Sequence, residues 1–206
     1  MTKIKICGLR RKEDVLYINE FLPDYCGFIL ADGFFRQVKF NDMKELSHLV
    51  DSRVKRVGVF VNQDINEILR YTDEALLDLI QLHGNEDDDF IDKLRSKINN
   101  SQIKIIKAFR IKDETDIEMI KNCRADYVLL DTFVKGKEGG SGVSFNWDIV
   151  KNVSRDYFLA GGINHENAKA AIEFLNPYAL DASSLLETDR FKDKEKIRKY
   201  VDAVRG

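Results

Sequence analysis

A strict alternation of short apolar runs and helix-like segments is the feature that most limits the folds open to this chain. Eight runs rich in β-branched, aromatic and leucine residues recur, each followed by a segment of helical character. They occupy residues 4–7, 25–30, 57–61, 79–82, 103–109, 127–131, 157–160 and 178–182. Few charges interrupt them, which suits parallel strands covered on both faces. The pattern therefore predicts an α/β fold with a parallel sheet.

Two architectures accommodate eight βα units, a doubly wound open sheet and a closed (β/α)8 TIM barrel. The eight units favour the barrel, and the length of 206 residues lies near its lower limit. An open dinucleotide-binding sheet usually carries G-x-G-x-x-G after its first strand, whereas this first run ends in Cys7 and Gly8 without that motif. We therefore expect an eight-stranded parallel TIM barrel, as a single domain over residues 1–206.

The composition limits the cellular compartment and the binding partners that we expect for this protein. A net charge of −2 and a pI near 6.0 argue against a general nucleic-acid binder. No apolar run approaches the roughly 20 residues that span a bilayer, so no membrane partner is expected. The chain has three cysteines, so at least one is unpaired, and no signal-like segment precedes the first run. These features predict a cytoplasmic protein. They leave open whether it is a monomer or a homodimer.

Active residues of a TIM barrel lie at the carboxyl ends of its strands, and two such ends carry chemically useful side chains. Cys7 ends the first run, where a thiolate could remove a proton from carbon, provided that positive groups lower its pKa. Asp131 ends the sixth run, where a carboxylic acid could donate a proton. Each has a structural alternative, since buried cysteines are usually inert and an aspartate can cap the next loop. Cys26 and Cys123 fit the inert description.

The loops after the seventh and eighth runs predict a phosphate site. Gly161 and Gly162 follow the seventh run, and glycines let the backbone approach an anion closely. Ser183 and Ser184 follow the eighth run and offer hydroxyl groups. The alternative is that the glycine pair forms only a tight turn between strand and helix.

Six short motifs occur in the order found in one enzyme family. They are K-I-C-G from residue 5, V-G-V-F-V-N from 57, Q-L-H-G from 81, L-D-T from 130, G-G-S-G from 139 and L-A-G-G-I from 159. The chain resembles phosphoribosylanthranilate isomerase, the TrpF family of tryptophan biosynthesis, over nearly its whole length. This resemblance implies a (β/α)8 barrel that performs an Amadori rearrangement without metal or organic cofactor. The implied substrate is the small molecule N-(5-phosphoribosyl)anthranilate, and the product is 1-(o-carboxyphenylamino)-1-deoxyribulose 5-phosphate.

The resemblance also implies roles for individual residues. Asp131 matches the general acid that protonates the ribose ring oxygen, and Cys7 matches the general base that takes the proton from C2′. Arg36 matches the arginine that contacts the anthranilate carboxylate. Asp181 matches an acidic residue near the site, and we expect it to be one of the substrate-binding residues. The glycine-rich residues 136–142 match a mobile loop of the family, whose glycines could act as hinges for closure over substrate. A loop that is merely flexible would show the same sequence.

Two positions depart from the family pattern. Leu185 stands where the family commonly has glycine after the serine pair, and a positive φ there would strain a leucine. Either this loop takes another path, or phosphate binding relies more on the glycine pair and the Ser184 amide. Phe34 and Phe35 replace the usual Ser-Pro before Arg36. They add aromatic surface near the expected anthranilate ring, and the sequence leaves open whether they stack on it.

Three other functions compete with this interpretation. A related barrel isomerase of histidine biosynthesis performs the same rearrangement with two aspartates, and Cys7 speaks against it. A metal-dependent sugar-phosphate epimerase needs histidine ligands at strand ends, but His83 is the only histidine that directly follows a run, so no metal site is expected. A non-catalytic barrel that binds phosphosugars would keep the glycine and serine pairs but would have no need of Cys7 or Asp131.

Overall fold

Eight parallel strands close into a barrel in the computed structural model, which describes residues 1–111, 115–131 and 147–206. The strands are β1 (Lys3–Cys7), β2 (Tyr25–Ile29), β3 (Lys55–Phe60), β4 (Leu79–Leu82), β5 (Lys104–Arg110), β6 (Tyr127–Asp131), β7 (Tyr157–Ala160) and β8 (Ala179–Ala182). Each strand pairs with the next in sequence, and β8 pairs with β1. The predicted TIM barrel is confirmed.

Seven α-helices surround the barrel within the described part of the chain. They are α1 (Lys12–Phe21), α2 (Phe40–Leu49), α3 (Ile65–Asp73), α4 (Asp88–Lys97), α5 (Thr115–Lys121), α6 (Ala168–Leu175) and α7 (Lys194–Arg205). Aspartates cap three of them, since Asp64, Asp87 and Asp193 each accept a backbone N–H of the first helical turn. None of these helices has the length and apolarity required to cross a bilayer.

A short hairpin after β8 is an element that the sequence pattern does not predict. Its strands are β9 (Glu187–Thr188) and β10 (Phe191–Lys192), which pair antiparallel. The two turn residues, Asp189 and Arg190, have φ angles of +50° and +65°. Tight hairpin turns of this kind usually contain Asn-Gly or Asp-Gly, so the missing glycine removes the usual sequence signal.

Inward-facing side chains fill the amino end of the barrel. The Tyr178 hydroxyl lies 2.9 Å from the Lys3 ammonium, 2.9 Å from the Tyr25 hydroxyl and 3.3 Å from that of Tyr127. Phe158 packs edge-on against two of these tyrosine rings. Because these side chains fill the amino end, the space for a ligand lies at the opposite, carboxyl end of the barrel.

The buried carboxylate of Glu86 joins the loops that follow β3 and β4 to strand β5. The Glu86 carboxylate accepts the backbone N–H groups of Asn62 and Gly84, at 2.7 and 2.9 Å, and the Lys107 ammonium at 2.9 Å. Burial alone would raise the pKa of Glu86, but these donors outweigh it, so its pKa lies below the ordinary value. The charged carboxylate therefore stabilises this edge of the barrel.

We predict that Glu86→Gln lowers the free energy of unfolding at neutral pH by about 1–3 kcal/mol, because it removes an acceptor that carries charge. The difference from the unmodified protein should shrink as the pH falls through the lowered pKa of Glu86, where its carboxyl becomes protonated. Urea denaturation at neutral and acidic pH measures both effects. Glu118→Gln, which changes an exposed carboxylate on α5, is the control. Equal losses for the two variants would contradict the prediction.

Candidate active site

The carboxyl ends of the strands surround a cavity of about 360 Å³, a volume suited to a small molecule. All eight predicted site residues line it: Cys7, Arg36, Asp131, Gly161, Gly162, Asp181, Ser183 and Ser184. They come from both ends of the sequence, and the closure of the barrel brings them together.

The wall beside Cys7 holds a buried ion pair. Lys5 and Cys7 lie two residues apart on β1, so their side chains share the inner face. Lys5 is fully buried, and its ammonium lies 2.6 Å from Oδ2 of Asp181, its register partner on β8. On the other side, a Cβ added to Gly27 of β2 would lie 2.7 Å from the Cys7 sulfur. The glycine therefore makes room for the thiol.

The Cys7 thiol sits in a mixed electrostatic environment. Burial raises its pKa above the ordinary value, the ammonium groups of Lys5 and Lys192 oppose that rise, and Asp181 adds to it. The net direction is upward, so the sulfur rests as the thiol at neutral pH. Positive groups are present, as the sequence interpretation required, but they do not outweigh burial.

Asp131 lies across the cavity, at the end of β6, beside His83. Nε2 of His83 is 3.6 Å from Oδ2 of Asp131, and Nδ1 is 2.8 Å from Nε2 of the Gln81 amide. When Nδ1 accepts from the amide, the imidazole proton is on Nε2 and faces the carboxyl group. His83 therefore lines the cavity, and its Nε2 faces the carboxyl group of Asp131, the predicted acid.

An ion pair with the β9–β10 hairpin fixes the position of Arg36. Its Nε and Nη2 each lie 2.8 Å from an oxygen of Glu187, in a bidentate ion pair. Lys192 of β10 donates to the same carboxylate at 2.8 Å and to the Ser183 carbonyl at 3.0 Å. Burial would raise the pKa of Glu187, but Arg36 and Lys192 lower it below the ordinary value. The guanidinium is therefore held in one orientation at the cavity wall.

The two phenylalanines before Arg36 point to different places. Phe34 lines the cavity and is about half exposed, at 48%. The Phe35 ring instead stacks near the guanidinium groups of Arg36 and Arg190, at 4.3 and 5.5 Å from its centroid. Phe34 alone of the pair adds aromatic surface to the cavity.

The loop after β8 accommodates Leu185 without strain. Leu185 lies in a single 3-10 turn, Ser184–Leu186, and is absent from the residues with positive φ. Of the two possibilities left open by the sequence, the loop takes the path that a leucine can adopt. The Leu185 side chain lines the cavity.

The glycine pair has the backbone conformation expected of an anion-binding turn. Gly161 and Gly162 have φ angles of +91° and +78°, a region that favours glycine. A Cβ at Gly162 would meet no atom within 4 Å, so open space lies in front of it. The Ser183 hydroxyl donates to the Cys7 carbonyl at 3.0 Å, a contact between the end of β8 and β1 that the sequence did not predict.

Two further expectations concern the loop and metals. The glycine-rich residues 136–142 lie outside the described residues. Among the residues that are described, no three histidine, cysteine, aspartate or glutamate side chains are grouped to hold a metal ion.

Four residues that shape the site were not among the predicted site residues: Lys5, Gln81, Glu187 and Lys192. A signal existed for two of them. Lys5 and Gln81 are polar residues in apolar runs, two positions before a strand-end residue, so they share its inward face. Glu187 and Lys192 gave no such signal, because the hairpin that positions them was not predicted.

Comparison with known proteins identifies relatives over the full chain. The family model described as N-(5'-phosphoribosyl)anthranilate (PRA) isomerase matches residues 4–203. The N-(5'-phosphoribosyl)anthranilate isomerase of Thermoanaerobacter sp. (strain X514) is 41% identical over 208 residues, covering 100% of this chain and 99% of the relative.

Solved structures agree with the sequence match. The phosphoribosyl anthranilate isomerase of Thermotoga maritima superposes with a TM-score of 0.89 at 33% identity, covering 100% of both chains. A phosphoribosyl anthranilate isomerase in complex with reduced 1-(o-carboxyphenylamino)-1-deoxyribulose 5-phosphate superposes with a TM-score of 0.86 at 30% identity, again covering 100% of both. On the family match and the full-length identity together, the chain belongs to the N-(5'-phosphoribosyl)anthranilate isomerase family.

Proposed function

We propose that this chain catalyses the Amadori rearrangement of N-(5'-phosphoribosyl)anthranilate to 1-(o-carboxyphenylamino)-1-deoxyribulose 5-phosphate, in the cytoplasm, as a step of tryptophan biosynthesis. The observation that carries the proposal is the placement of Cys7 and Asp131 on the walls of one cavity, from β1 and β6. Family membership over the whole chain supports it, as does the bound phosphoribulose compound of a solved relative.

The two anionic groups of the substrate fit two parts of the cavity. The phosphate is assigned to the end formed by Gly161, Gly162 and Ser184, where the backbone bends in the left-handed region. The anthranilate carboxylate is assigned to Arg36, whose Nε–Nη2 edge is held by Glu187. A guanidinium has a second edge for a planar anion, and its orientation here is fixed before substrate binds.

Ring opening is the first step. Asp131 donates a proton to the ribose ring oxygen as the bond from that oxygen to C1′ breaks. The anthranilate nitrogen supplies the electron pair, so that a protonated Schiff base forms at C1′. His83, 3.6 Å from the Asp131 carboxylate, is placed to interact with the negative charge that this transfer leaves.

Proton removal from C2′ is the second step. The Cys7 thiolate takes this proton, and its electron pair neutralises the Schiff base to give an enolamine. Loss of a proton from O2′ and gain of one at C1′ then yield the ketone. The extra proton on Cys7 and the missing one on Asp131 exchange through solvent, which restores both groups. Because burial raises the pKa of Cys7, the thiolate is a minor species that neighbouring charges must support.

The chain is also proposed to form one domain. The strands of the barrel run from residue 3 to residue 182, and α7 packs back against both α1 and α6. The ring of helices therefore closes at the carboxyl end of the sequence.

We predict that the purified protein consumes N-(5'-phosphoribosyl)anthranilate in the presence of a chelator, measured as loss of substrate fluorescence. Cys7→Ser and Asp131→Asn should each reduce kcat by about 10²-fold or more, since each removes one proton-transfer group. Cys123→Ser, which changes a thiol outside the cavity, serves as the matched control and should keep normal turnover. Normal turnover in both site variants would refute the mechanism, and inhibition by the chelator would refute the metal-free reaction.

We predict that Phe34→Ala raises KM by several fold, on the order of 1 kcal/mol of lost binding, because Phe34 supplies the aromatic surface next to Arg36. Steady-state kinetics measures the effect. Phe35→Ala removes the same atoms from a ring that does not line the cavity, and its KM should change less. A larger effect of Phe35→Ala would show that the anthranilate ring lies elsewhere.

A further inference from the structure

Lys5 is a buried cation that has no role in the two proton transfers proposed above. Its side chain is fully buried on the inner face of β1 that also carries Cys7, and its register partner on β8 is Asp181. Its ammonium donates to Oδ2 of Asp181 at 2.6 Å and also faces the thiol. Within the described residues Lys5 is the one hydrogen-bond partner of that carboxylate, since Oδ1 is buried without a partner. The three groups therefore form one closely coupled cluster.

The charges nearest Cys7 do not balance while it is a thiol. Lys5 and Lys192 each contribute a positive charge, and Asp181 contributes one negative charge. Loss of the thiol proton brings this group to zero net charge. Farther away, Arg36 is neutralised by its bidentate pair with Glu187. Across the cavity lie the remaining ionisable groups of its wall, His83, Arg110 and Asp131.

Resting on the proposed role of Cys7 as base, we propose that Lys5 is a positioning residue that stabilises the Cys7 thiolate, and that Asp181 limits how far it does so. The physical reason is that an ammonium group within a few ångströms favours the charged form of an acid, whereas a carboxylate disfavours it. The directions of the effects on the Cys7 pKa agree, since Lys5 lowers it and Asp181 raises it.

Stability alone does not explain this arrangement. A buried ion pair loses much of its attraction to the cost of removing two charges from water, so apolar residues often serve stability equally well. At this position the pair has a second effect, because it fixes a positive charge beside a sulfur that must become negative. Lys5 therefore acts through Cys7 and has no need to touch the substrate.

The test measures the thiolate directly, without turnover. The protein is treated with iodoacetamide over a range of pH, and alkylation of the peptide that contains Cys7 is followed by mass spectrometry. Only the thiolate reacts, so the midpoint of the profile reports the pKa of Cys7. We expect Lys5→Met to move this midpoint up by about 1 pH unit or more, and Asp181→Asn to move it down.

Two further variants keep the test decisive. Lys5→Met/Asp181→Asn removes the whole pair and leaves no unpaired buried charge. Its midpoint should lie above that of Asp181→Asn, because the two variants differ only in the Lys5 ammonium. Lys3→Met, on the same strand at the amino end of the barrel, should leave the profile unchanged. The proposal would be overturned if the midpoint of the folded Lys5→Met protein equalled that of the unmodified protein, or if the midpoint of the double variant equalled that of Asp181→Asn.

The alkylation experiment and the turnover assay test separate proposals, so either proposal can be refuted while the other stands. If Cys7→Ser retained normal turnover while Lys5→Met still moved the alkylation midpoint, the role of Cys7 as base would be wrong and the electrostatic role of Lys5 would stand. If Cys7→Ser were inactive and the midpoint did not move, the function would stand and the role of Lys5 would be refuted.

Discussion

The buried contact between Lys5 and Asp181 joins the first strand of the barrel to the last, and the site is assembled around this junction. The two residues are register partners where β1 meets β8, and the Ser183 hydroxyl adds a second link to the Cys7 carbonyl. Lys192, a few residues later, extends the same cluster toward Cys7. The proposed base therefore gains its electrostatic surroundings only when the barrel closes, because its neighbours lie near the opposite end of the chain.

Much of the fold was predictable because one physical rule governs it. Parallel strands covered on both faces must be apolar, so the eight runs stand out, and helix-like segments of similar length separate them. The same rule located Cys7 and Asp131, since a polar residue that ends an apolar strand of a barrel lies at the ligand end. These inferences needed only the order of residues along each strand.

Other features depend on contacts between distant segments, which local sequence patterns do not reveal. The hairpin of β9 and β10 turns through Asp189 and Arg190, both with positive φ and without glycine, so it lacked its usual signal. The ion pair that holds Arg36 was not predicted either, because Glu187 and Lys192 belong to that hairpin. The rise in the pKa of Cys7 was equally hidden, since burial is a property of the closed barrel.

Two buried acceptors without a partner in the described part of the chain line the cavity at the carboxyl end of the barrel. At the amino end, the tyrosine hydroxyls and Lys3 bond to one another. At the carboxyl end, Gln81 Oε1 and Asp181 Oδ1 are buried without a partner among the described residues, a condition that costs about 1–3 kcal/mol for each atom. Both are acceptors in side chains that line the cavity, and a sugar carries hydroxyl donors. Hydroxyl groups of an open-chain ribose could donate to these two acceptors, so binding the substrate would recover that cost beside the proposed base.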